Sequence, residues 1–293
     1  MYEAFYGFRE SPFHVTADPA FLFPSRHHRE ALDHLQYGIR QRLGFIEVTG
    51  EVGSGKTTVV KALLSQLPHH VSTSLILNPV LSDLQLLAAI VKDFGLDPPR
   101  TRVALMASLN QFLLEQRGRG RVAVLIIDEA QTLAPRTLEQ VRQLSNLETP
   151  KEKLLQIILV GQPELSAKLL NPLLRPLRQR IAIRCHLQPL TVAEVGDYIA
   201  HRLRVAGALP NRPAFTAEAV DAITQYSRGL PRAVNHVCDK ALLAGYVHES
   251  ITIDLPMVRR AIETLEGQSS EPQEATDESH RRRIEEIPTT FRI

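Results

Sequence analysis

The sequence predicts an α/β fold, in which a five-stranded parallel sheet with helices packed against it is followed by a small all-helical domain. Short apolar runs alternate with amphipathic stretches between residues 44 and 187. These runs are continuous stretches of Val, Ile and Leu, as in strands that are buried on both faces of a parallel sheet. After Leu187 the strand signal stops and helical patterns follow. We therefore expect the sheet in the first part of the chain and a helical second part.

Five candidate strands make up the predicted sheet. They are FIEVTG (45–50), TSLILN (73–78), VAVLIID (122–128), LQIILVG (155–161) and RIAIRCHL (180–187). Helix-start signals lie between the strands, because Ser82 with Gln85 and Thr137 with Gln140 have the spacing of a capping box. The alternation of strand and helix is typical of a parallel sheet joined by crossover helices.

Four helical stretches follow Leu187. The first, TVAEVGDYIAHRLRVAG, opens on a capping box of Thr191 and Glu194. The others are TAEAVDAITQYSRG, PRAVNHVCDKALLAGYVHE and DLPMVRRAIETLEG. From Gly267 the chain is polar and charged, which predicts a disordered or loosely docked tail.

Composition excludes several classes of protein. Hydrophobic residues make up 44% and charged residues 23% of the 293 residues, as in an ordinary globular protein. The net charge of +2 gives no overall basic field for nucleic acid, although a local patch stays open. Cys185 and Cys238 form neither a disulfide framework nor a metal motif, which favours a reducing cytoplasm. The apolar runs are far shorter than the ~18 residues of a membrane span, and no signal peptide is evident, so no direct membrane insertion is expected.

The run GEVGSGKT, from Gly50 to Thr57, fits the pattern of a phosphate-binding loop, with a strand before it and a helix after it. Glycines allow a tight turn whose N–H groups converge on phosphate oxygens, and the helix adds its positive dipole end. Lys56 would reach the β- and γ-phosphates of ATP, and the Thr57 hydroxyl would bind Mg²⁺. The plain alternative is a glycine-rich connecting turn. The residues predicted to contact ATP here are Gly50, Glu51, Val52, Gly53, Ser54, Gly55, Lys56, Thr57 and Thr58.

The strand VAVLIID ends on two carboxylates, Asp128 and Glu129. In α/β folds the carboxyl ends of parallel strands lie where ligands bind. Asp128 is predicted to hold Mg²⁺, and Glu129 to polarise the attacking water. Solvated acidic residues at a strand end are the alternative, which the nearby phosphate loop makes less favoured.

Together these motifs resemble Walker A and Walker B of the AAA+ ATPases. Three further runs, IILVGQPEL, LRPLRQRI and GLPRAVNHVCDKALL, and the N-terminal FYGFRESPFHVTADPAFLFPSRHHREALDHLQYGI resemble the ExeA/GspA subfamily over residues 1 to about 265. That subfamily includes MshM-type pilus ATPases and ATPases of PEP-CTERM and exopolysaccharide loci. The resemblance implies an Mg²⁺-dependent, oligomer-forming ATPase that serves secretion or surface assembly. The alternative is a DNA-binding transposition regulator, as in the related TnsC and MuB group.

The resemblance also implies roles for residues outside the two motifs. Gln162 falls at the sensor-1 position, where Asn is usual, and Arg232 at the sensor-2 position in the first turn of a helix. Arg178 or Arg180, with Arg175 as a third candidate, falls where a neighbouring subunit presents an arginine finger. The alternatives are a polar strand end for Gln162, a surface arginine for Arg232 and a solvated basic turn for the arginine cluster.

The N-terminal aromatic stretch is less decisive. In AAA+ proteins this region wraps the adenine, so Phe13 and His14 are candidates for contact with the base, with core packing of Phe13 as the alternative. The pairs His27–His28 and His69–His70 have no matching Cys or Asp at ligand spacing and are interpreted as surface residues.

The resemblance divides the chain into four parts. They are an N-terminal segment that contributes to the nucleotide pocket (1–43), the AAA+ core (44–187), a helical lid (188–266) and a polar tail (267–293). We expect a homo-oligomer, ring or helical, in the cytoplasm, peripheral at the inner membrane through a secretion-system component. DNA binding stays possible but is not supported by charge, because acidic residues accompany the basic run at 281–283.

Overall fold

A five-stranded parallel sheet organises the first two thirds of the computed structural model, which describes residues 1–150, 152–209 and 212–267. Its strands are β1 (Phe45–Gly50), β2 (Val71–Ile76), β3 (Val122–Ile127), β4 (Leu155–Gly161) and β5 (Ile181–Leu187). Their order is β2-β3-β4-β1-β5, and every neighbouring pair is parallel. The predicted parallel sheet is thus confirmed. The carboxyl ends of β3, β4 and β1 lie side by side.

Twelve α-helices are present in the described residues. They are α1 (Tyr2–Tyr6), α2 (Arg26–Arg40), α3 (Lys56–Gln66), α4 (Asp83–Asp93), α5 (Arg102–Gly118), α6 (Pro135–Leu144), α7 (Pro163–Leu169), α8 (Arg175–Arg178), α9 (Val192–Val205), α10 (Ala217–Ser227), α11 (Pro231–Val247) and α12 (Leu255–Leu265). Apolar residues of α2 and α3 pack on one face of the sheet, and those of α4, α5 and α6 pack on the other. Because both faces are covered, the inner strands β1, β3 and β4 are buried almost throughout.

Two of the three predicted capping boxes form. The Ser82 hydroxyl accepts from the Gln85 backbone N–H while the Gln85 side chain accepts from Ser82, and Thr191 with Glu194 does the same at the start of α9. These reciprocal bonds satisfy N–H groups that the first turn of a helix leaves unpaired. The starts of α4 and α9 are therefore set by local sequence.

The capping box predicted for Thr137 and Gln140 is wrong. Helix α6 begins at Pro135, two residues before Thr137. Ala134 precedes it, and no side chain caps it. Proline suits this first position because its missing N–H would have no partner there. The buried Thr137 hydroxyl instead donates to Asp83 Oδ1 at 2.7 Å and so ties α6 to the first turn of α4.

The chain after β5 forms helices α9 to α12, as predicted, with one addition. A two-residue parallel pair, β6 (Ala214–Phe215) with β7 (Thr252–Ile253), joins the segment before α10 to the segment before α12. We refer to α9–α12 with this pair as the C-terminal helices. The predicted tail falls outside the described residues, apart from Gly267.

Aromatic residues from the start of the chain complete the core of the C-terminal helices. The buried residues that join this core are Tyr2, Tyr6, Phe8, Phe13 and Phe21. Their partners include Val234, Cys238 and Leu242 of α11. The first 21 residues therefore share a hydrophobic core with the last described helices, not with the sheet.

Within the described ranges, no helix combines the length and apolar character that crossing a membrane requires. Cys185 and Cys238 are both buried free thiols. Burial raises the pKa of the Cys185 thiol to about 11, so it is held in its neutral form.

The N-terminal contribution to the core is testable at Tyr6. The ring is 1% exposed, and its hydroxyl donates to the carbonyls of Leu242 and Ser250 at 3.1 Å each. Tyr6→Ala should lower the free energy of unfolding by about 3–5 kcal/mol, because a large aromatic side chain leaves a cavity. Urea unfolding measures this change.

Two variants serve as controls for Tyr6→Ala. Tyr6→Phe keeps the ring and should lose only about 1–2 kcal/mol for the missing hydrogen bonds. Tyr37→Ala removes a tyrosine that is 55% exposed and should leave stability nearly unchanged. Equal midpoints for Tyr6→Ala and the unmodified protein would contradict a packing role for the N-terminal segment.

Candidate nucleotide-binding site

The loop between β1 and α3 curls around its glycines. Gly53 and Gly55 have φ values of +81° and +96°, a region that other residues rarely adopt. Both glycines are also closely packed: a Cβ on Gly53 would lie 2.6 Å from Arg232 Cβ, and one on Gly55 would lie 2.9 Å from His28 Nε2. Each glycine is therefore required for two reasons: the turn needs a positive φ, and the neighbouring side chain leaves no room for a Cβ.

Lys56 is the first residue of α3 and is 6% exposed. Its ammonium donates to the carbonyls of Gly50 and Glu51 at 2.7 and 2.9 Å, so the side chain folds back over the loop. Burial lowers the pKa of Lys56, and the nearby Glu129 and Asp128 carboxylates act in the opposite direction. A cation is thus fixed inside the curve of the loop.

Asp128 and Thr57 form a pair of oxygen ligands suited to a hard cation. Asp128 is 3% exposed; its Oδ2 accepts from the Thr57 hydroxyl at 2.9 Å, and its Oδ1 accepts from the Glu129 N–H at 2.9 Å. Burial raises the pKa of the Asp128 carboxyl, although these two hydrogen bonds oppose the effect. A hydroxyl and a carboxylate oxygen in contact beside a buried lysine fit the oxygen-ligand preference of Mg²⁺.

Glu129 occupies a strained backbone conformation, with φ 53° and ψ 33° in the left-handed region. Conformations of this kind cost of order 1 kcal/mol or more in non-glycine residues and cluster at functional sites. The Glu129 Oε2 accepts from the side-chain amides of Gln131 and Gln162, the latter at 3.4 Å. The carboxylate is therefore held by two neutral donors and faces the crevice beside Thr57.

Gln131 is a functional candidate that the sequence analysis missed. Besides donating to Glu129, its Oε1 accepts from the Gln162 backbone N–H at 3.0 Å, so one amide links the ends of β3 and β4. A Cβ on Gly161 would lie 2.7 Å from the same oxygen, which explains why glycine ends β4. Lys168 fixes this turn by donating to the carbonyls of Gln131 and Leu133. The position of Gln131 in the run DEAQ was the sequence signal that could have identified it.

The far wall of the crevice comes from the C-terminal helices. Arg232 lies in the first turn of α11, as predicted, and its N–H donates to the Gly53 carbonyl at 3.2 Å. Tyr198 and Arg202 of α9, with Asn235 of α11, line the same wall. Phosphate loop and α11 thus touch directly.

The N-terminal segment supplies a third wall, but through other residues than those predicted. Val15, Thr16 and Ala17 line the crevice. Phe13 is 1% exposed, with its ring 6.5 Å from that of Phe215, so its core-packing alternative is the one observed.

His14 also differs from the expectation of a base contact. Its ring packs edge-on against Phe21, with 4.7 Å between the centroids, and does not line the crevice. The physical reason is that Phe21 belongs to the buried core of the C-terminal helices, so the His14 ring packs against that core.

The interpretation of His28 as a surface residue is wrong. His28 is 4% exposed; its Nδ1 lies 2.6 Å from the Ser25 hydroxyl and its Nε2 lies 2.9 Å from the Ser54 carbonyl. Burial lowers the pKa of the imidazole, which favours its neutral form. Helix α2 therefore supports the phosphate loop from behind through His28.

The predicted arginine cluster lies away from this crevice. Helix α8 precedes β5, so it lies near the amino ends of the parallel strands, opposite the carboxyl edge. Arg180 donates to Ser145 Oγ and Asn146 Oδ1 at 2.6 and 2.7 Å. Within the described part of the chain, the side chains of Arg175 and Arg178 form no hydrogen bond or ion pair.

An ion pair between buried Glu47 and half-exposed Arg184 connects this cluster to β1. Glu47, 2% exposed, accepts from Arg184 Nε at 3.0 Å and from the Ser166 hydroxyl at 2.6 Å. Arg184 also donates to the Arg178 carbonyl at 2.9 Å. The strand that ends in the phosphate loop is thus bonded to the backbone of the arginine segment.

The crevice collects most of the predicted site residues. Those on its lining are Val52, Gly53, Gly55, Lys56, Thr57, Thr58, Glu129, Gln162 and Arg232. Gly50, Glu51, Ser54 and Asp128 are not on its lining. A larger, mainly apolar groove lies between α9 and residues 208–209 and 213–220, and among its described lining residues no such polar groups converge.

Comparison with known proteins agrees with this geometry. A family model described as an AAA domain matches residues 39–169, which include both motifs. General secretion pathway protein A from Aeromonas hydrophila is 45% identical over 252 residues, which cover 85% of this chain. The chain therefore carries an AAA domain. Its resemblance to the ExeA/GspA subfamily is confirmed, and it spans 46% of that relative's length.

Solved AAA+ proteins share the fold. The Aeropyrum pernix ORC2 protein aligns with a TM-score of 0.66 at 17% identity, over 90% of this chain and 75% of that one. The Thermotoga maritima RuvB branch migration motor aligns with a TM-score of 0.57 at 21% identity, over 83% and 70%. The AAA+ sheet and the helical C-terminal region of this chain are therefore those of known P-loop proteins.

The buried His28 predicts a pH dependence of stability. Its folded-state pKa lies below the unfolded value of about 6.5. The unfolded chain therefore binds more protons, and the stabilisation present above pH about 6.5 is lost as the pH falls toward the folded pKa. The free energy of unfolding should fall with decreasing pH by up to about 1.4 kcal/mol per unit from this group, measured by urea unfolding at pH 5–8.

His28→Gln should flatten that slope while keeping a donor for the Ser54 carbonyl. His201, whose pKa burial also lowers, is present in both proteins and cancels in the comparison. His27→Gln, at the partly exposed neighbouring histidine, should keep most of the original slope. Identical slopes for His28→Gln and the unmodified protein would show that His28 does not titrate as its burial implies.

Proposed function

We propose that this chain is an Mg²⁺-dependent ATPase that acts as a homo-oligomer and drives the assembly or remodelling of a secretion, pilus or exopolysaccharide export system. The observation that carries the enzymatic part is the contact between the Thr57 hydroxyl and the Asp128 carboxylate, with Glu129 facing the same crevice. The AAA domain supports the same activity.

The chain's own residues bind the triphosphate in this proposal. The ammonium of Lys56 exchanges its bonds to the Gly50 and Glu51 carbonyls for phosphate oxygens, and the N–H groups of the loop and of the α3 terminus surround the phosphates. Thr57 and Asp128 would hold Mg²⁺. A bound Mg²⁺ would neutralise phosphate charge and orient the phosphoryl group for in-line attack.

Hydrolysis needs a base for the attacking water. The Glu129 carboxylate accepts a proton from water as the water oxygen bonds to the γ-phosphorus and the bond to the bridging oxygen breaks, which releases ADP and phosphate. Gln131 and Gln162 orient this carboxylate, since both amides donate to its Oε2. Because Gln162 touches Glu129 from the end of β4, it stands where a sensor of the γ-phosphate is needed.

A recess with a mixed polar and aromatic lining adjoins the crevice and suits the nucleobase. It shares Thr16, Tyr198 and Pro231 with the crevice, and its lining also includes Phe21 and Leu22. The flat faces of a purine favour contact with aromatic rings such as those of Phe21 and Tyr198. We therefore assign the base to this recess and propose that the C-terminal helices act as a lid over it.

Assembly is proposed to complete the site. Arg178 is favoured as the arginine finger, because its guanidinium is unbonded in the described chain while Arg180 is engaged by Ser145 and Asn146. A finger that reaches a neighbouring subunit's γ-phosphate would make hydrolysis depend on oligomerisation.

The pathway is proposed from the relative named for secretion. General secretion pathway protein A is similar over 85% of this chain, although this chain spans less than half of its length. We propose a cytoplasmic protein that reaches the inner membrane through a membrane-bound partner. The two buried free thiols are compatible with a reducing compartment.

Lys56→Ala and Glu129→Gln should separate binding from hydrolysis. Lys56→Ala removes the cation of the loop, so ATP affinity should fall at least about a hundredfold. Glu129→Gln keeps the loop and should bind Mg·ATP normally while turnover falls about 10²–10⁴-fold. Calorimetry and phosphate release measure the two effects.

Matched controls remove the same charges outside the crevice. Lys92→Ala, at an exposed lysine of α4, tests for a general effect of lost charge, and Glu164→Gln removes an exposed acid of α7. Unchanged turnover in Glu129→Gln would remove that residue from the role of base. Micromolar ATP affinity in Lys56→Ala would contradict the assignment of the loop.

The trans role of Arg178 is testable by mixing subunits. Arg178→Ala alone should hydrolyse ATP at least about a hundredfold more slowly, because the transition-state charge loses its partner. Added Lys56→Ala subunits keep Arg178 and should restore part of the turnover of the Arg178→Ala subunits. The same mixing with Arg175→Ala tests the third candidate, and it should show no such complementation if Arg178 is the finger. Failure of the mixture to gain activity over its components would argue against a finger supplied in trans.

A further inference from the structure

Arg202 of α9 is a buried cation whose partners are neutral. It is 5% exposed, and no carboxylate within the described residues pairs with it. Its guanidinium donates instead to the Pro12 carbonyl at 2.7 Å, to the His14 carbonyl at 3.2 Å and to the Tyr198 hydroxyl at 3.2 Å. A buried charge is costly unless it is well hydrogen-bonded, so these three bonds hold the side chain in place.

The two carbonyls belong to the segment that forms the third wall of the crevice. Directly after them, Val15 and Thr16 line the crevice. At the other end, Lys61 of α3 donates to the Ala17 carbonyl at 2.8 Å. Residues 12–17 are therefore fixed at one end by a cation of the C-terminal helices and at the other by a cation of the phosphate-loop helix.

Aromatic contacts orient the guanidinium further. Its carbon lies 4.6 Å from the centre of the Phe21 ring and 5.9 Å from that of Tyr198. The Tyr198 hydroxyl lies 2.7 Å from the side-chain amide of Asn235, which lines the crevice. Arg202 thus joins three walls of the nucleoside end: the N-terminal segment, α9 and, through Tyr198, α11.

Lysine could not replace these contacts. The planar guanidinium donates in three directions at once while its face lies against an aromatic ring, whereas an ammonium offers one compact centre. The geometry therefore requires arginine specifically, at a place where a hydrophobic residue would otherwise complete the core.

We propose that Arg202 is a positioning residue for the nucleoside, as distinct from the triphosphate. By fixing the carbonyls of Pro12 and His14, it keeps Val15–Ala17 as a preformed rim beside the recess that we assign to the base. A preformed rim saves the ordering entropy that a loose segment would lose on binding, so Arg202 raises affinity for the base and ribose. This inference rests on the proposed nucleotide function, in which Lys56 and Thr57 bind the phosphates.

The test compares two ligands that differ only at the nucleoside end. Arg202→Met should weaken Mg·ATP binding at least about tenfold, since bonds from a buried charge to two carbonyls are lost. Its affinity for inorganic tripolyphosphate with Mg²⁺ should change less than about threefold. Calorimetry at one temperature on the full chain gives both constants.

Two further variants make the comparison specific. Arg202→Lys should recover part of the ATP affinity, because an ammonium can still donate to one carbonyl. Arg204→Met removes an exposed arginine on the same helix, outside the crevice, and should leave both constants unchanged. Lys61→Met, at the other end of the rim, should show the same selective loss of ATP affinity if Arg202→Met fails to fold.

Each outcome decides the inference. A selective loss for ATP supports positioning of the nucleoside. Equal losses for ATP and tripolyphosphate indicate a general structural role and overturn it, as does unchanged ATP affinity in a folded Arg202→Met protein. If the unmodified protein binds neither ligand, the proposed nucleotide function itself is wrong.

Discussion

The contact between Thr57 and Asp128 is the interaction on which the site depends. Thr57 follows β1 and Asp128 follows β3, and β4 lies between these strands. The two side chains can therefore meet only if three parallel strands end at the same level. The sheet supplies this alignment, because the register of β1, β3 and β4 brings their carboxyl ends to one edge. Gln162, at the end of β4, then lies beside Glu129, to which its side-chain amide donates. The strand order and register of the sheet therefore determine the separation of the Thr57 and Asp128 oxygen atoms.

The remaining walls are held by bonds that cross large distances in sequence. His28 supports the loop from α2, and Arg202 ties the N-terminal segment to α9. Gly53 lets the start of α11 approach the loop within direct contact. The crevice is therefore enclosed by three parts of the chain that meet only after folding. Movement of the C-terminal helices would carry Arg232, Tyr198 and the N-terminal rim together, since all three are bonded to the same α9–α11 unit.

Local signals were sufficient for the sheet and the phosphate loop. The strand β1, the glycines and Lys56 are adjacent in sequence, and the capping boxes at Ser82 and Thr191 need only four residues each. The prediction at Thr137 failed because its hydroxyl found a distant partner in Asp83. His28 and Arg202 could not be identified in advance, since their roles come from residues 26 and 188 or more positions away. The prediction for Phe13 and His14 identified the correct segment. Because these two rings pack in the core, the residues that face the crevice are their neighbours Val15, Thr16 and Ala17.

The shared core of the first and last helices also has a consequence for how the chain is made. Tyr6 bonds to Leu242, 236 residues later. At ribosomal rates of about 5–20 residues per second, its partner is synthesised roughly 12–47 s afterwards. The sheet can close during this interval, because its last strand ends at Leu187. The N-terminal aromatic rings remain exposed to water and to other nascent chains until α11 has left the ribosome. Synthesis from the N-terminus therefore produces a hydrophobic segment that is buried only after the C-terminal helices have been synthesised.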